Sequence, residues 1–78
     1  MQVTFYAAAA DAAGLRELEV EGPLTTTDLV AQLGGRHPAL AAVLQRCSIL
    51  VDGRRVSEPA ALLPERARVD VLPPFAGG

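Results

Sequence analysis

Apolar and polar residues alternate from the first positions of the chain. Val3 and Phe5 are interleaved with Gln2, Thr4 and Tyr6, a period of two that predicts a strand over 2–6 with two different faces. Ala7–Ala13 is too rich in alanine for a strand and predicts a short helix, with Gly14 placed to stop it. A second alternation runs over Leu15–Val20, with Leu18 and Val20 on one face and Glu17 and Glu19 on the other; Glu21-Gly22-Pro23 breaks it. Leu24, Leu29, Val30 and Leu33 then recur at helical spacing. Thr25–Thr27 supplies N-caps and Asp28 an anion for the first turn, and Gly34-Gly35 is expected to end that helix. Pro38 opens a second short helical piece carrying Leu40, Val43 and Leu44. Ser48–Asp52 reads as a third strand, and Asp52-Gly53 as a two-residue hairpin turn into Arg54–Val56. Pro59–Leu63 is expected to be a turn or a single helical turn, closed by Pro64. Arg68–Leu72 is the last strand, and Pro73-Pro74, which have no backbone donors, end its pairing.

The order is strand, strand, helix, strand, strand piece, strand. A helix between an N-terminal hairpin and the later strands must cross one face of a mixed sheet. The expected fold is therefore α+β, a β-grasp with a mixed sheet of four to five strands and one main helix across one face. Residues 1–72 form the domain and 73–78 a flexible tail. The inferred sheet core is Val3, Phe5, Leu18, Val20, Ile49, Val51, Val69 and Val71. Tyr6, Leu50 and Leu72 have the opposite parity and fall on the uncovered face. With Phe75 they are expected to make one exposed apolar patch, and a clustered patch of that kind marks a partner interface.

Composition narrows the function. The chain has 78 residues, 50% of them hydrophobic and 21% charged, an ordinary globular balance. A chain of this size buries only ~60–65% of its unfolded surface, so a second core is excluded. All seven basic residues are arginine, against nine acidic ones, for a net charge of −2 and a pI of about 5.2. That balance argues against nucleic acid and against a polybasic membrane anchor. No apolar run approaches the ~20 residues that span a bilayer. The single cysteine, Cys47, fits a reducing compartment, and the expected location is the cytoplasm. No Cys/His cluster supports a metal site, and no Gly-rich loop supports phosphate binding.

The unusual feature is the ending, Leu72-Pro73-Pro74-Phe75-Ala76-Gly77-Gly78. Pro-Pro favours polyproline II and projects the tail from the sheet. Gly77 and Gly78 lack side chains, so the tip fits a channel that a Cβ would obstruct. A carboxylate on Gly78 is a poor electrophile, and acyl chemistry there needs activation by ATP on a partner enzyme. Phe75 either folds back on the domain or anchors in a partner groove.

With these residues in view, the chain resembles the MoaD/ThiS family of ubiquitin-like sulfur carriers, and most closely its MoaD, or molybdopterin, branch. The resemblance rests on Val3-Thr4-Phe5-Tyr6-Ala7, on Thr27-Asp28-Leu29 with Leu33, on Val69-Asp70-Val71-Leu72-Pro73-Pro74, and on Gly77-Gly78. It implies a non-catalytic carrier subunit of molybdopterin synthase with no bound cofactor. An E1-like enzyme uses ATP to adenylate the Gly78 carboxylate, and a sulfur donor protein converts it to a thiocarboxylate. The tail then enters the large catalytic, MoaE-like subunit and gives sulfur to a pterin precursor in molybdenum cofactor biosynthesis. Gly78 is the reacting residue, Gly77 gives clearance, and Tyr6, Leu50, Leu72, Pro73, Pro74, Phe75 and Ala76 face the partner. Against the family pattern, Arg36–Arg46 is compact and apolar. The alternatives are a carrier for thiazole, cysteine or tRNA thiolation, a ubiquitin-like protein modifier joined through Gly78, or a plain binding module.

Four other features read as structural. Cys47, between Leu44 and Ile49, is expected to be a buried small hydrophobe rather than a sulfur relay. His37 reads as a solvated loop residue or a partner of a helix C-terminus. Arg54 and Arg55, and Glu17, Glu19 and Glu21, read as charged sheet edges.

Overall fold

The computed structural model describes residues 1–74. In chain order the elements are β1 (Gln2–Phe5), α1 (Ala8–Ala13), β2 (Glu17–Glu19), β3 (Leu24–Thr25), α2 (Thr26–Arg36), α3 (Pro38–Leu44), β4 (Ser48–Val51), β5 (Arg54–Arg55), β6 (Leu62–Leu63) and β7 (Arg68–Leu72). Five strands make one sheet in the order β2-β1-β7-β4-β5, and β3 pairs with β6 in a small second ladder. β1 and β7 are parallel, and the other ladders are antiparallel. The architecture is the α+β β-grasp.

Alternation sets the register. Val3 lies beside Val69 and Phe5 beside Val71, while β4 places Ile49 beside Val71 and Val51 beside Val69. These side chains share the inner face. Val3, Phe5, Val69 and Val71 are at most 1% exposed, and the helices close over them through Ala9, Ala13, Leu29, Leu33, Leu40 and Leu44. Leu18 and Val51 are only half-buried, because Leu18 lies on the edge strand β2 and Val51 is flanked by the two-residue edge strand β5.

The caps explain where the helices begin and end. Gly14 closes α1 in the left-handed conformation, φ 75°, and its N–H donates to the Ala10 carbonyl. The Thr25 hydroxyl accepts from the Asp28 N–H at 3.1 Å and caps α2. Asp52 and Gly53 both take positive φ, 50° and 84°, as a type I′ hairpin turn requires. Asp52 also ties the turn to β7. Its carboxylate accepts from the Arg68 N–H at 3.0 Å, and its own N–H donates to the Arg68 carbonyl at 2.8 Å.

Two expectations are corrected. The helix does not end at Gly34-Gly35; α2 runs through both glycines to Arg36. A Cβ on Gly34 would lie 3.2 Å from the Ala41 Cβ, so this glycine lets α3 approach α2 closely and does not cap. Pro59–Leu63 is not only a turn: Leu62–Leu63 pairs with Leu24–Thr25. A two-residue strand is too short to show any period, and its pairing is held from outside by Thr26 N–H and Thr27 N–H donating to Ala61 and Pro59 carbonyls.

Candidate functional site

β7 lies between β1 and β4, so the chain leaves the sheet from the middle of one end. Pro73 is half-buried and Pro74 exposed. Phe75, Ala76, Gly77 and Gly78, which the sequence singles out for anchoring, clearance and reaction, lie outside the described residues.

The parity that buries Phe5 and Val71 sends Tyr6 and Leu72 to the opposite, helix-free face. Leu50 points the same way from β4, and Ser48 sits across from Leu72. Tyr6 is 43% exposed, and Leu50 and Leu72 are half-buried. Together with Ala7, Ser48, Pro73 and Arg55 they line a mostly apolar hollow of about 510 Å³. The structure thus brings Tyr6, Leu50, Leu72 and Pro73 together at the root of the tail. The rest of this face is polar. It carries Gln2, Thr4, Glu17, Glu19 and Arg68, and Gln2 Nε2 donates to Glu17 Oε1.

Tyr6 is fixed at the boundary between these halves. Its hydroxyl donates to Asp70 Oδ1 at 3.3 Å. The negative charge of Asp70 opposes a phenolate there and raises the Tyr6 pKa above 10.0, with partial desolvation and the hydrogen bond acting in the same direction. Tyr6 is therefore a neutral phenol at any physiological pH. Its aromatic edge suits an apolar contact, and its hydroxyl is already satisfied.

On the other side of the root lies a second hollow of about 310 Å³, lined by Ala8, Ala42, Val43, Arg46, Pro73 and Pro74. Nothing in the sequence marks Arg46, because its place beside Pro74 depends on how α3 packs. Ala7, between the two hollows, has φ 50°, a conformation that costs a non-glycine residue ~1–3 kcal/mol. Nothing in an alanine run signals it.

The remaining residues stay apart from the root's chemistry. Cys47 is half-buried against the core, and its Sγ donates to the Val43 carbonyl at 3.2 Å. Burial pushes its thiol pKa up, which disfavours the nucleophilic thiolate. His37 is a half-buried junction between α2 and α3, its N–H on the Leu33 carbonyl and its own carbonyl accepting from Leu40, rather than a solvated loop residue. Arg54 and Arg55 are exposed on the β5 edge. Among the described residues no three His, Cys, Asp or Glu side chains converge, and no helix is long and apolar enough to cross a membrane.

This geometry, an open sheet face with an apolar end around the strand exit at Pro73, agrees with the comparisons to known proteins. Residues 3–78 match the ThiS family. The chain belongs to the ThiS family. Since the family match runs to Gly78, it includes the tail. A molybdopterin synthase sulfur carrier subunit from Chlamydomonas reinhardtii is 30% identical, over 100% of this chain and 98% of the relative. A Pyrococcus furiosus protein assigned as molybdopterin converting factor subunit 1 superposes with a TM-score of 0.83 at 27% identity, over 95% of each chain. The small archaeal modifier protein 1 of Methanosarcina acetivorans superposes equally well, with a TM-score of 0.83 at 26% identity, over 99% of this chain and 94% of that one. This ThiS-family chain is thus similar both to sulfur carriers and to a protein modifier.

Proposed function

We propose that this ThiS-family chain is the sulfur-carrier subunit of a molybdopterin synthase. The observation that carries the reading is the match, over nearly the whole length of both proteins, to a molybdopterin synthase sulfur carrier subunit. The open apolar ground around Pro73 supports it. In this reading the Gly78 carboxylate attacks the α-phosphorus of ATP on an E1-like enzyme and pyrophosphate leaves. The terminal sulfur of a donor-protein persulfide then displaces AMP from the mixed anhydride to give an acyl disulfide, and a thiol attacks the donor-side sulfur, forming a disulfide there and releasing the thiocarboxylate. The charged tail enters the large catalytic subunit and passes its sulfur to a pterin precursor, and an oxygen from water restores the carboxylate. The chain itself contributes docking and reach. Four residues beyond Pro74 extend ~13–14 Å, enough to carry the carboxyl into a buried centre.

The test is reconstitution with the activating enzyme, ATP and a sulfur source, followed by the large subunit and the precursor. Intact mass should show one oxygen replaced by sulfur, and that form alone should convert the precursor. Deleting Gly78 moves the carboxylate by ~3.3–3.6 Å. A misplacement of ~1 Å can cost on the order of a hundredfold, so turnover should vanish while stability is unchanged. Normal charging and delivery by the Gly78 deletion would overturn the reading. A second reading, a protein modifier joined through Gly78 to target lysines, is favoured by the likeness to the archaeal modifier. It predicts isopeptide-linked products in place of sulfur delivery to the precursor.

A further inference from the structure

The five-stranded sheet has two free edges of opposite charge. β2 closes one edge with Glu17 and Glu19, and β5 closes the other with Arg54 and Arg55, all of them exposed. The ladder pattern shows which backbone groups each edge offers. Val20 N–H donates to the Met1 carbonyl and Phe5 N–H to the Arg16 carbonyl. In the alternation of an antiparallel pair, Leu18 therefore bonds inward to Val3, while Glu17 and Glu19 turn their N–H and C=O groups outward. At the far edge Val56 N–H donates to the Ile49 carbonyl, which leaves the main chain of Arg55 facing away from β4. Among the described residues no turn or loop takes up these outward groups. The side chains divide in the same way. Glu17, Glu19 and Arg55 stand on the open face, and Leu18 and Val56 on the helix side, half-buried. Among the described residues Arg54 and Arg55 have no carboxylate partner. The Glu19 carboxylate lies 3.5 Å from the Met1 amino group, and its side chain is still 80% exposed.

From these edges we infer that the chain associates with further copies of itself, β2 of one copy against β5 of the next. β2 and β5 run in opposite directions, because β1 and β7 are parallel and every other ladder of the sheet is antiparallel. A copy laid beside the first, with its helices on the same side, therefore presents an antiparallel pair. With Glu19 opposite Arg55, two outward main chains exchange both bonds, and a carboxylate meets a guanidinium on the open face. The same register sets Leu18 beside Val56 on the helix side, giving each half-buried side chain the neighbour that its edge lacks. A one-residue slip would pair side chains that point to opposite faces. Charge on an edge normally prevents pairing. Here β2 against β2 sets glutamates together and β5 against β5 sets arginines together, so each edge rejects its own kind and attracts the other. The contact is heterologous: every bound copy offers a fresh edge, and growth is open-ended. Strand twist of about 20–25° per strand turns successive five-stranded copies, so the array winds as a screw. β7 is central, and its end at Pro73 stays clear of both edges. This self-association does not depend on the carrier reading.

The test is sedimentation equilibrium of the full chain from micromolar to millimolar concentration. The weight-average mass should climb with concentration past that of a dimer, without a plateau, and fall back as salt rises. Arg55→Glu and Glu19→Arg should each raise the concentration needed for association by about tenfold, while Arg55→Lys stays near wild type. Circular dichroism checks that each variant is folded. An equal mixture of the two reversals should associate again, because each altered edge then meets unlike charge. An isotope-filtered NOE between the Leu18 and Val56 methyls of differently labelled copies should report the register. A chain that stays monomeric to millimolar concentration overturns the inference. So does a mass that levels off at the dimer, since that requires a two-fold contact. A mixture that associates no better than either reversal alone, or association without the NOE, places the contact elsewhere and overturns it as well.

Discussion

Replacing Leu72 by Asp separates what the fold needs from what a partner needs. Leu72 is the last residue of β7 and lies on the open face, half-buried, across from Ser48. Fully burying a leucine is worth ~1.5–3 kcal/mol, so its half-burial in the free chain contributes about 1 kcal/mol. Aspartate is a poor strand residue, at a cost of up to ~1 kcal/mol. The free protein should therefore lose about 1–2 kcal/mol and remain folded, since the inner row of Val3, Phe5, Val69 and Val71 is untouched. Binding should suffer more. A carboxylate buried in the apolar centre of an interface costs at least ~2 kcal/mol, a weakening of about thirtyfold. Urea unfolding followed by circular dichroism gives the first number, and titration calorimetry against the activating enzyme gives the second. Leu62→Asp is the control, because Leu62 is 65% exposed on β6, away from the tail root. It should change stability by no more than ~1 kcal/mol, the strand cost of aspartate alone, and leave binding unchanged. A folded Leu72→Asp protein that binds within twofold of wild type would refute the assignment of this face to the partner.

Three further outcomes are expected. Cys47→Ala should cost ~1–2 kcal/mol through lost packing and leave sulfur transfer intact; a folded variant unable to pass sulfur would make Cys47 a participant. Tyr6 is the sole tyrosine and the chain has no tryptophan, so the phenolate absorbance titrates it alone. Its midpoint should lie above 10.0, and Asp70→Asn should bring it down. Because its folded-state pKa is raised, Tyr6 contributes stability below pH 10 that is lost as pH climbs through its titration, a contribution that Tyr6→Phe removes. Gly34→Val should destabilise by ~1–3 kcal/mol despite a better helix propensity, because its Cβ would start 3.2 Å from the Ala41 Cβ; a stability equal to wild type would remove the packing role of that glycine.

What the sequence revealed depended on how many residues carried each signal. Four alternating positions were enough for β1 and β7, and Asp52-Gly53 announced its turn because two consecutive positive φ values admit few residue pairs. β3 and β6, with two residues each, hold no period, and their pairing is decided by the loop around Pro59 and Ala61. Gly34 misled for a different reason. Glycine favours both a helix stop and a close helix crossing, and only the position of Ala41 on α3 decides between them. The open-face cluster followed from parity alone, since a residue next to Phe5 or Val71 must point the other way. Arg46 did not, because its neighbours Pro73 and Pro74 are remote in sequence and nothing local marks the contact.

The two ends of the open face differ in how far they obey the ordinary rule for a one-sided sheet, apolar within and polar without. Away from the root the rule holds: Gln2, Thr4, Glu17, Glu19 and Arg68 face water. At the root it fails three times, at Leu50 and Leu72 on the adjacent strands β4 and β7 and at Tyr6, the residue just past β1. Folding alone does not require these side chains, since the inner rows and the helices already enclose the core without them. A polar residue at each position would satisfy the backbone ladder equally well. Their grouping where the central strand gives way to Pro73 therefore places the apolar exception at the point where β7 ends. A partner that engages the tail meets this ground first. Docking there fixes the position of Pro73, and with it the distance over which the residues beyond Pro74 must reach.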